Sequence, residues 1–430
     1  MKKTIGNAPS FDTPGTAKSR RGFLKRGAAL VTGAASAGLA QGAESTTAAQ
    51  GLAGQPWERV YGAGFTGYGQ PSRFEQPVVR YLGKPYGDLA PGSGSALAPI
   101  ESLEGIITPS GLHNIRSHSG TPDIDPKQHQ LLLHGLVARP LVFSMEALWR
   151  YPMTTRTHFV ECSGNSNRAL APQPAQVPAG AMHGNIACSE WTGVPLRVLL
   201  EEAGLSPQAK WLLAEGADSA HMSRSIPVEK ALDDALVALY QNGERLRPEQ
   251  GYPVRLLLPG WEGNMSVKWL RRIKATEGPT HTKDETSKYT DLLPDGRALQ
   301  FTFEMGVKSV ITKPSSTMNL PRTGFYEISG IAWSGAGRIR RVEVSADGGA
   351  TWAEAALTGE ERPKALVRFR LPWEWTGREA VLQSRATDEK GQVQPARKAW
   401  LAQYSVNPYH NNSIVSWSVG ADGSVKNVYV

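Results

Sequence analysis

Residues 155–161 form a β-favouring run that stops at Cys162, where Ser163-Gly164-Asn165-Ser166-Asn167-Arg168 turns small and polar. A strand ending in a glycine-containing loop leaves its last side chain at the rim of a sheet, a common place to meet a ligand. Whatever the fold, it has to present Cys162 there. Its one companion is Cys188.

Two readings of the cysteines stand side by side. In an oxidising compartment a disulfide between them is the plain one. A soft thiolate donor to a redox metal is the other. Neither cysteine belongs to a Cys-x-x-Cys-His site or a four-ligand zinc pattern, so the chain is expected to carry no haem of its own.

The N-terminus bears on the compartment. Ser19-Arg20-Arg21-Gly22-Phe23-Leu24-Lys25, followed by an Ala/Gly-rich run over residues 27–40, resembles a twin-arginine export signal. That run is too short to cross a bilayer core of ~30 Å as a helix. No later stretch is long and apolar enough to anchor the chain. The expectation is a periplasmic protein without a membrane anchor, exported folded and loaded with a cofactor. The same segment, residues 1–43, explains the net charge of +8. It holds Lys2, Lys3, Lys18, Arg20, Arg21, Lys25 and Arg26 against Asp12 alone, and the remainder is nearly neutral. Nucleic acid is not an expected partner.

A chain of 430 residues has room for two or three cores. Residues 44–111 are rich in Gly, Pro and aromatics without period, and read as an extended arm. Residues 112–299 read as a mixed α/β domain. Strands are expected at 130–137, 155–161, 210–214, 236–240, 253–258 and 266–276, with a short Ser144-capped helix at 144–151. A helix is expected at 193–204, with Leu196, Leu199, Leu200 and Ala203 on one face and Gly204 as its C-terminal cap. Residues 300–430 change texture. Short alternating segments at 325–331, 340–345, 351–355, 366–371 and 380–386 alternate with turns such as Asp347-Gly348-Gly349 and Asp388-Glu389-Lys390-Gly391. This spacing predicts an all-β, immunoglobulin-like sandwich and an α+β chain overall.

The motifs together resemble the sulfite oxidase superfamily of molybdopterin enzymes over nearly the whole chain. Cys162-Ser163-Gly164-Asn165 looks like its Cys-x-Gly-Asn, and Asn114-Ile115-Arg116-Ser117-His118 like its Arg-Asn-His segment, with Ser117 in place of Asn. Asp218 falls in a Glu-Gly-x-Asp, and Gly251-Tyr252-Pro253-Val254-Arg255 matches Gly-Phe-Pro-x-Arg. Gln250 stands where many members have histidine. Ser266-Val267-Lys268-Trp269-Leu270 matches a further cofactor-contacting segment. Trp333-Ser334-Gly335 and the residues from Val344 to Trp352 resemble the family's dimerisation domain. Ser287-Lys288-Tyr289-Thr290-Asp291 and His410-Asn411-Asn412, with Ser416-Trp417, resemble its sulfane-dehydrogenase branch.

The resemblance implies a molybdenum–molybdopterin cofactor with Cys162 as the metal's protein ligand. Both cysteines are then unpaired, and Cys188 is a buried small hydrophobe. Arg255 would fork the pterin phosphate and Lys268 would add a point charge. Asn114, Ile115, Arg116, Ser117, His118, Asp218, Gln250, Ser266 and Val267 complete the implied cofactor set. Of the histidines near these motifs, only His118 is expected to touch the cofactor. His113, His158 and His183 are expected to be structural.

Tyr289, Arg168 and Asn167 fall on the substrate side. Asn167 occupies a position where many sulfite-oxidising members have arginine, which argues for a bulkier substrate than free sulfite. The implied reaction is oxygen-atom transfer from water to reduced sulfur, with sulfane sulfur on a carrier protein as substrate. Electrons would pass to a separate c-type cytochrome, and the C-terminal domain would pair two chains. A dehydrogenase for free sulfite, a sulfoxide reductase of related fold and a cofactor-free β-sandwich adaptor are the alternatives.

Overall fold

The computed structural model describes residues 56–83, 87–404 and 410–430. The export signal expected at 1–43 and the start of the expected arm lie outside the described residues. The chain divides into two units, Met1–Pro71 and Ser72–Val430. Described residues of the first comprise one 3-10 turn, Pro56–Glu58, and an extended stretch. The architecture of the second unit is α+β and mostly strand.

Residues 72–111, read from sequence as part of an irregular arm, contain structure of their own. Gly94–Leu97 pairs on one side with Tyr81–Leu82 and on the other with Ile115–Ser117. Ala96, Ala98 and Ile100 are buried. Strands of two to four residues leave too few alternations for a period to register.

Two five-stranded sheets follow. In the first, Glu244–Arg245, Leu236–Gln241, Ile186–Pro195 and Thr154–Glu161 lie in that order, and Arg255–Leu257 also pairs with Leu236–Gln241. In the second the order is Leu141–Ser144, Gln130–Gly135, Leu270–Thr276, Trp211–Gly216 and Ser223–Pro227. One core joins them. Leu131 and Leu133 of the second sheet and Val237, Leu239 and Leu256 of the first meet the helix Leu196–Ala203. That helix buries Leu196, Leu199, Leu200 and Ala203 as its pattern requires, and Gly204 ends it at φ 70°.

The helix starts later than its apolar pattern suggests. Gly193 and Val194 belong to the strand Ile186–Pro195, and a Cβ at Gly193 would lie 2.1 Å from the Val237 carbonyl. The strand expected from 266 also starts late, at Leu270, because Trp269 is left-handed at φ 52°.

The C-terminal half is one antiparallel sheet of eight strands. Its order is Lys308–Lys313, Gly324–Trp333, Val367–Trp375, Ala353–Thr358, Ile339–Ser345, Ala380–Asp388, Ser416–Val419 and Val425–Val428. The sheet folds over itself, so that Ser309 Oγ of the first strand reaches Ser384 Oγ of the sixth at 2.9 Å. Trp333, Phe369, Val342, Leu382 and Trp417 fill the interior. The same apolar cluster continues into Phe159, Ile186 and Cys188. The all-β half therefore packs directly behind the strand that delivers Cys162.

Candidate active site

Strand Thr154–Glu161 ends with Glu161 opposite Ile186. Cys162 extends the ladder by one bond, its N–H donating to the Asn185 carbonyl at 3.0 Å. Asn165 N–H then donates back to the Cys162 carbonyl at 2.8 Å and closes the turn. Cys188 sits opposite Phe159, three residues back along the ladder. At ~3.3 Å per residue the two cysteines are about 10 Å apart, beyond disulfide reach. Both are free, and Cys188 is wholly buried. Burial pushes the Cys162 thiol up, while the Gly164 amide and the Arg116 charge favour the thiolate.

Cys162 stands at the seam of two clefts. The first encloses about 660 Å³. The strand Ile115–Ser117 and its neighbours contribute Asn114, Ile115, Arg116, Ser117 and His118 to its wall. Asp218 lines it from the turn after strand Trp211–Gly216, Gln250 from the 3-10 turn Pro248–Gln250, Arg255 from the start of strand Arg255–Leu257, and Ser266, Val267 and Lys268 from the loop before Leu270. Hydrogen bonds tie these stretches together. Asn114 Nδ2 donates to Asn185 Oδ1 at 3.0 Å, Gln250 Nε2 to the Asn114 carbonyl at 3.0 Å, and Ser119 Oγ to Asp218 Oδ2 at 2.9 Å.

Arg255, expected to fork the pterin phosphate, engages part of its guanidinium with the cleft wall. Its Nη1 donates to the Gln250 carbonyl at 3.1 Å and its Nη2 to the Ser266 carbonyl at 2.9 Å, over the face of Trp191. It clamps two wall segments, and two of its five N–H groups stay outside these and its Leu256 bond. Burial lowers it to about 9. Lys268 Nζ donates to the Glu249 carbonyl at 2.9 Å, and burial with the neighbouring Arg255 lowers it to about 7. Among the described residues no carboxylate pairs with either cation. Around the same cleft, His113 Nε2, Asn114 Oδ1 and Asn264 Oδ1 are buried without partners. Two buried cations without a salt-bridge partner and several orphaned polar atoms fit an anionic group rich in heteroatoms.

The second cleft is larger, about 1720 Å³. Asn167 and Arg168, both exposed, line it with the rest of the Cys162 loop, and neither reaches the first cleft. Its charged lining residues are Arg116, Arg168 and Lys288, with no carboxylate among the lining side chains. Arg116, His118, Cys162 and Tyr289 are shared by both clefts. His118 Nε2 lies 2.8 Å from the Tyr289 hydroxyl, and the Arg224 guanidinium sits 4.9 Å from the Tyr289 ring centre. Burial, reinforced by Arg116, lowers His118 to about 3, and burial raises Tyr289 far above the usual phenol value.

Chain similarity now bears on this geometry. A family described as oxidoreductase molybdopterin binding domain matches residues 118–283, and one described as Mo-co oxidoreductase dimerisation domain matches 300–416. Among solved structures, the sulfane dehydrogenase SoxCD from Paracoccus pantotrophus is similar at 46% identity with a TM-score of 0.86. The match covers 90% of this chain and all of that one.

The chain belongs to the sulfite oxidase family of molybdopterin oxidoreductases. Within that family it is also similar to plant nitrate reductases. One is the inducible nitrate reductase [NADH] 1 of Glycine max, 32% identical over 77% of this chain. Another is the nitrate reductase [NADH] of Solanum lycopersicum, 33% identical over 72%. The chain spans 41% and 38% of their respective lengths. A molybdopterin-binding domain accounts for the buried cations of the first cleft. It also suits a site in which no cluster of three or more His, Cys, Asp or Glu stands ready for a metal among the described residues.

Other residues of this site were not singled out from sequence. His113, read as structural, lines the first cleft. Asn264 lines it too, donating to Glu262 Oε2 at 2.8 Å. Beneath the Cys162 loop lie Glu161, Lys308, His183 and Trp333, in a buried polar cluster. In the sequence His183 reads as structural and Trp333 as part of the dimerisation-domain resemblance, and no spacing links Glu161 to Lys308. His158 and His183 stay out of both clefts, as expected.

Proposed function

We propose that this molybdopterin oxidoreductase is the molybdenum subunit of a periplasmic sulfane dehydrogenase. It would oxidise sulfane sulfur held on a carrier and pass the electrons to a c-type cytochrome. The supporting observation is the seam at Cys162. On one side lies a cleft suited to an anionic cofactor. On the other lies a wide cleft whose charged lining residues are all cations.

When bound, the molybdenum cofactor supplies oxygen-atom transfer from water to a reduced sulfur. Cys162 would hold the metal, Lys268 and the free N–H groups of Arg255 the phosphate, and Asp218 and Gln250 the pterin edge. Arg116 reaches both clefts and can balance negative charge that builds on a sulfur oxide. The Tyr289 hydroxyl can donate its one proton to the same oxygens while accepting from the Nε2–H of neutral His118 behind it.

Asn167 offers an amide where a guanidinium would capture a small dianion, and the width of the outer cleft suits a substrate carried on a polypeptide. Export rests on the twin-arginine motif at Arg20-Arg21, and pairing of two chains on the C-terminal half. A separate acceptor is supported by the similarity to the sulfane dehydrogenase SoxCD.

The test is steady-state oxidation of carrier-bound sulfane and of free sulfite by the holoenzyme with a c-type cytochrome. Faster turnover of carrier-bound sulfane is expected, with about one molybdenum per chain and loss of activity in Cys162→Ser. Equal or better turnover of free sulfite would make the chain a sulfite dehydrogenase. Full activity in Cys162→Ser would remove the metal assignment.

A further inference from the structure

Lys308, at the start of the first C-terminal strand, runs back beneath the Cys162 loop. Its Nζ donates to Ser166 Oγ at 2.6 Å and to the Asn411 carbonyl at 2.7 Å, and lies 3.5 Å from Glu161 Oε1. Neither charged side chain reaches solvent. Glu161, the residue before Cys162, also accepts from Asn165 Nδ2 at 2.9 Å and from Trp333 Nε1 at 2.6 Å. Burial pushes Glu161 up and Lys308 down, and their mutual attraction opposes both shifts. Asn165 Nδ2, Trp333 Nε1 and Lys308 Nζ all aim donors at the Glu161 carboxyl group.

The loop is therefore gripped just before and just after the cysteine. Ser166 sits at φ 69°, a left-handed conformation that serine adopts at a cost. Both of its oxygens are tied down. The hydroxyl meets Lys308 and His183 Nδ1, and the carbonyl accepts from Asn411 Nδ2 at 3.3 Å. Lys308, Trp333 and Asn411 all come from the C-terminal half. An apolar pair of similar volume would fill the space beneath the loop at least as stably as two buried charges. Yet neither Glu161 nor Lys308 lines either cleft.

We propose that Lys308 and Glu161 are positioning residues for the Cys162 sulfur, so that the C-terminal half sets the geometry of the metal's protein ligand. The inference rests on Cys162 being that ligand. Releasing the grip should let Ser166 relax from its left-handed conformation and the turn from Cys162 to Asn165 shift. Metal–sulfur geometry would change, and the outer-cleft wall carried on the same loop would move with it.

The test compares holoenzymes of wild type, the double variant Glu161→Gln/Lys308→Met, and Ser166→Ala, with Cys162→Ser as control. Read-outs are molybdenum content, the electron paramagnetic resonance spectrum of the one-electron-reduced metal, and kcat and KM separately. The double variant leaves no lone buried charge. It is expected to load molybdenum, show a shifted spectrum, and lose tenfold or more in kcat. Ser166→Ala should shift the spectrum in the same direction by less. A loaded double variant with wild-type spectrum and kcat would overturn the proposal. Should the double variant fail to fold or load, Ser166→Ala decides, and a wild-type spectrum and kcat there would equally overturn it. A wild-type spectrum in Cys162→Ser would instead overturn the ligand assignment on which the proposal rests.

Discussion

The hydroxyl of Tyr289 lies 2.8 Å from Nε2 of His118, at the seam where the two clefts meet beside Cys162. Burial keeps the phenol protonated and, with Arg116, the imidazole neutral. Tyr289→Phe removes the donor and should lower kcat/KM by roughly 10²-fold. With His118 near 3 and Tyr289 far above 10, neither group titrates between pH 5 and 8. The pH profile of kcat/KM should therefore show no inflection near 6.5 from this pair, and Tyr289→Phe should shift the profile down without changing its shape.

Asn167 is exposed in the outer cleft. Asn167→Arg places a guanidinium there, and a charge-assisted bond to an oxyanion is worth about 1.5–3 kcal/mol. The KM for free sulfite should fall by roughly tenfold or more, while turnover of carrier-bound sulfane stays the same or drops. An unchanged sulfite KM would show that substrate selection does not reside at this position.

Lys268 sits near 7, burial and Arg255 outweighing the nearby charges of Asp218 and Glu249. A bound phosphate would raise that value, so above pH 7 loading has to take up a proton. Affinity of the cofactor-free chain for the cofactor should be greatest below pH 7 and fall by up to about tenfold per unit above it. Lys268→Met should load weakly and lose this dependence. Pterin fluorescence after loading at pH 6.5, 7.5 and 8.5 reads both effects.

His158 is lowered to about 4 and His410 to about 3, burial being the main cause for each. Between those values and the ordinary 6.5, the unfolded chain binds protons that the folded chain does not. Stability therefore rises with pH through this window and is lost on acidification, by roughly 2 kcal/mol per histidine between pH 6.5 and 5. The melting temperature should fall steadily from pH 7 to 5. His410→Phe, which removes one of the two groups but also the acceptor of the Gly306 amide, should melt lower at pH 7 and show a shallower slope.

Local pattern carried much of this protein. The abrupt end of a β run at Cys162, the apolar face of Leu196, Leu199, Leu200 and Ala203, and the evenly spaced C-terminal strands are short-range signals. They could be read because the periods of strand and helix are properties of neighbouring residues. The short strands Tyr81–Leu82 and Gly94–Leu97 could not be read, being too brief to show a period.

Assembly decided the rest. No spacing indicates that Lys308 ends 3.5 Å from Glu161 across 147 positions, that Arg255 spends donors on the walls of its own cleft, or that Asn411 closes under Ser166. These contacts depend on how one curled sheet packs behind another, and the free energy of burying both faces is shared among many residues rather than written in any one stretch. Neighbouring residues were enough to indicate that Cys162 ends a strand at a polar loop and what kind of scaffold presents it. Only the packed chain placed that cysteine at the seam of two clefts and brought the C-terminal half under its loop.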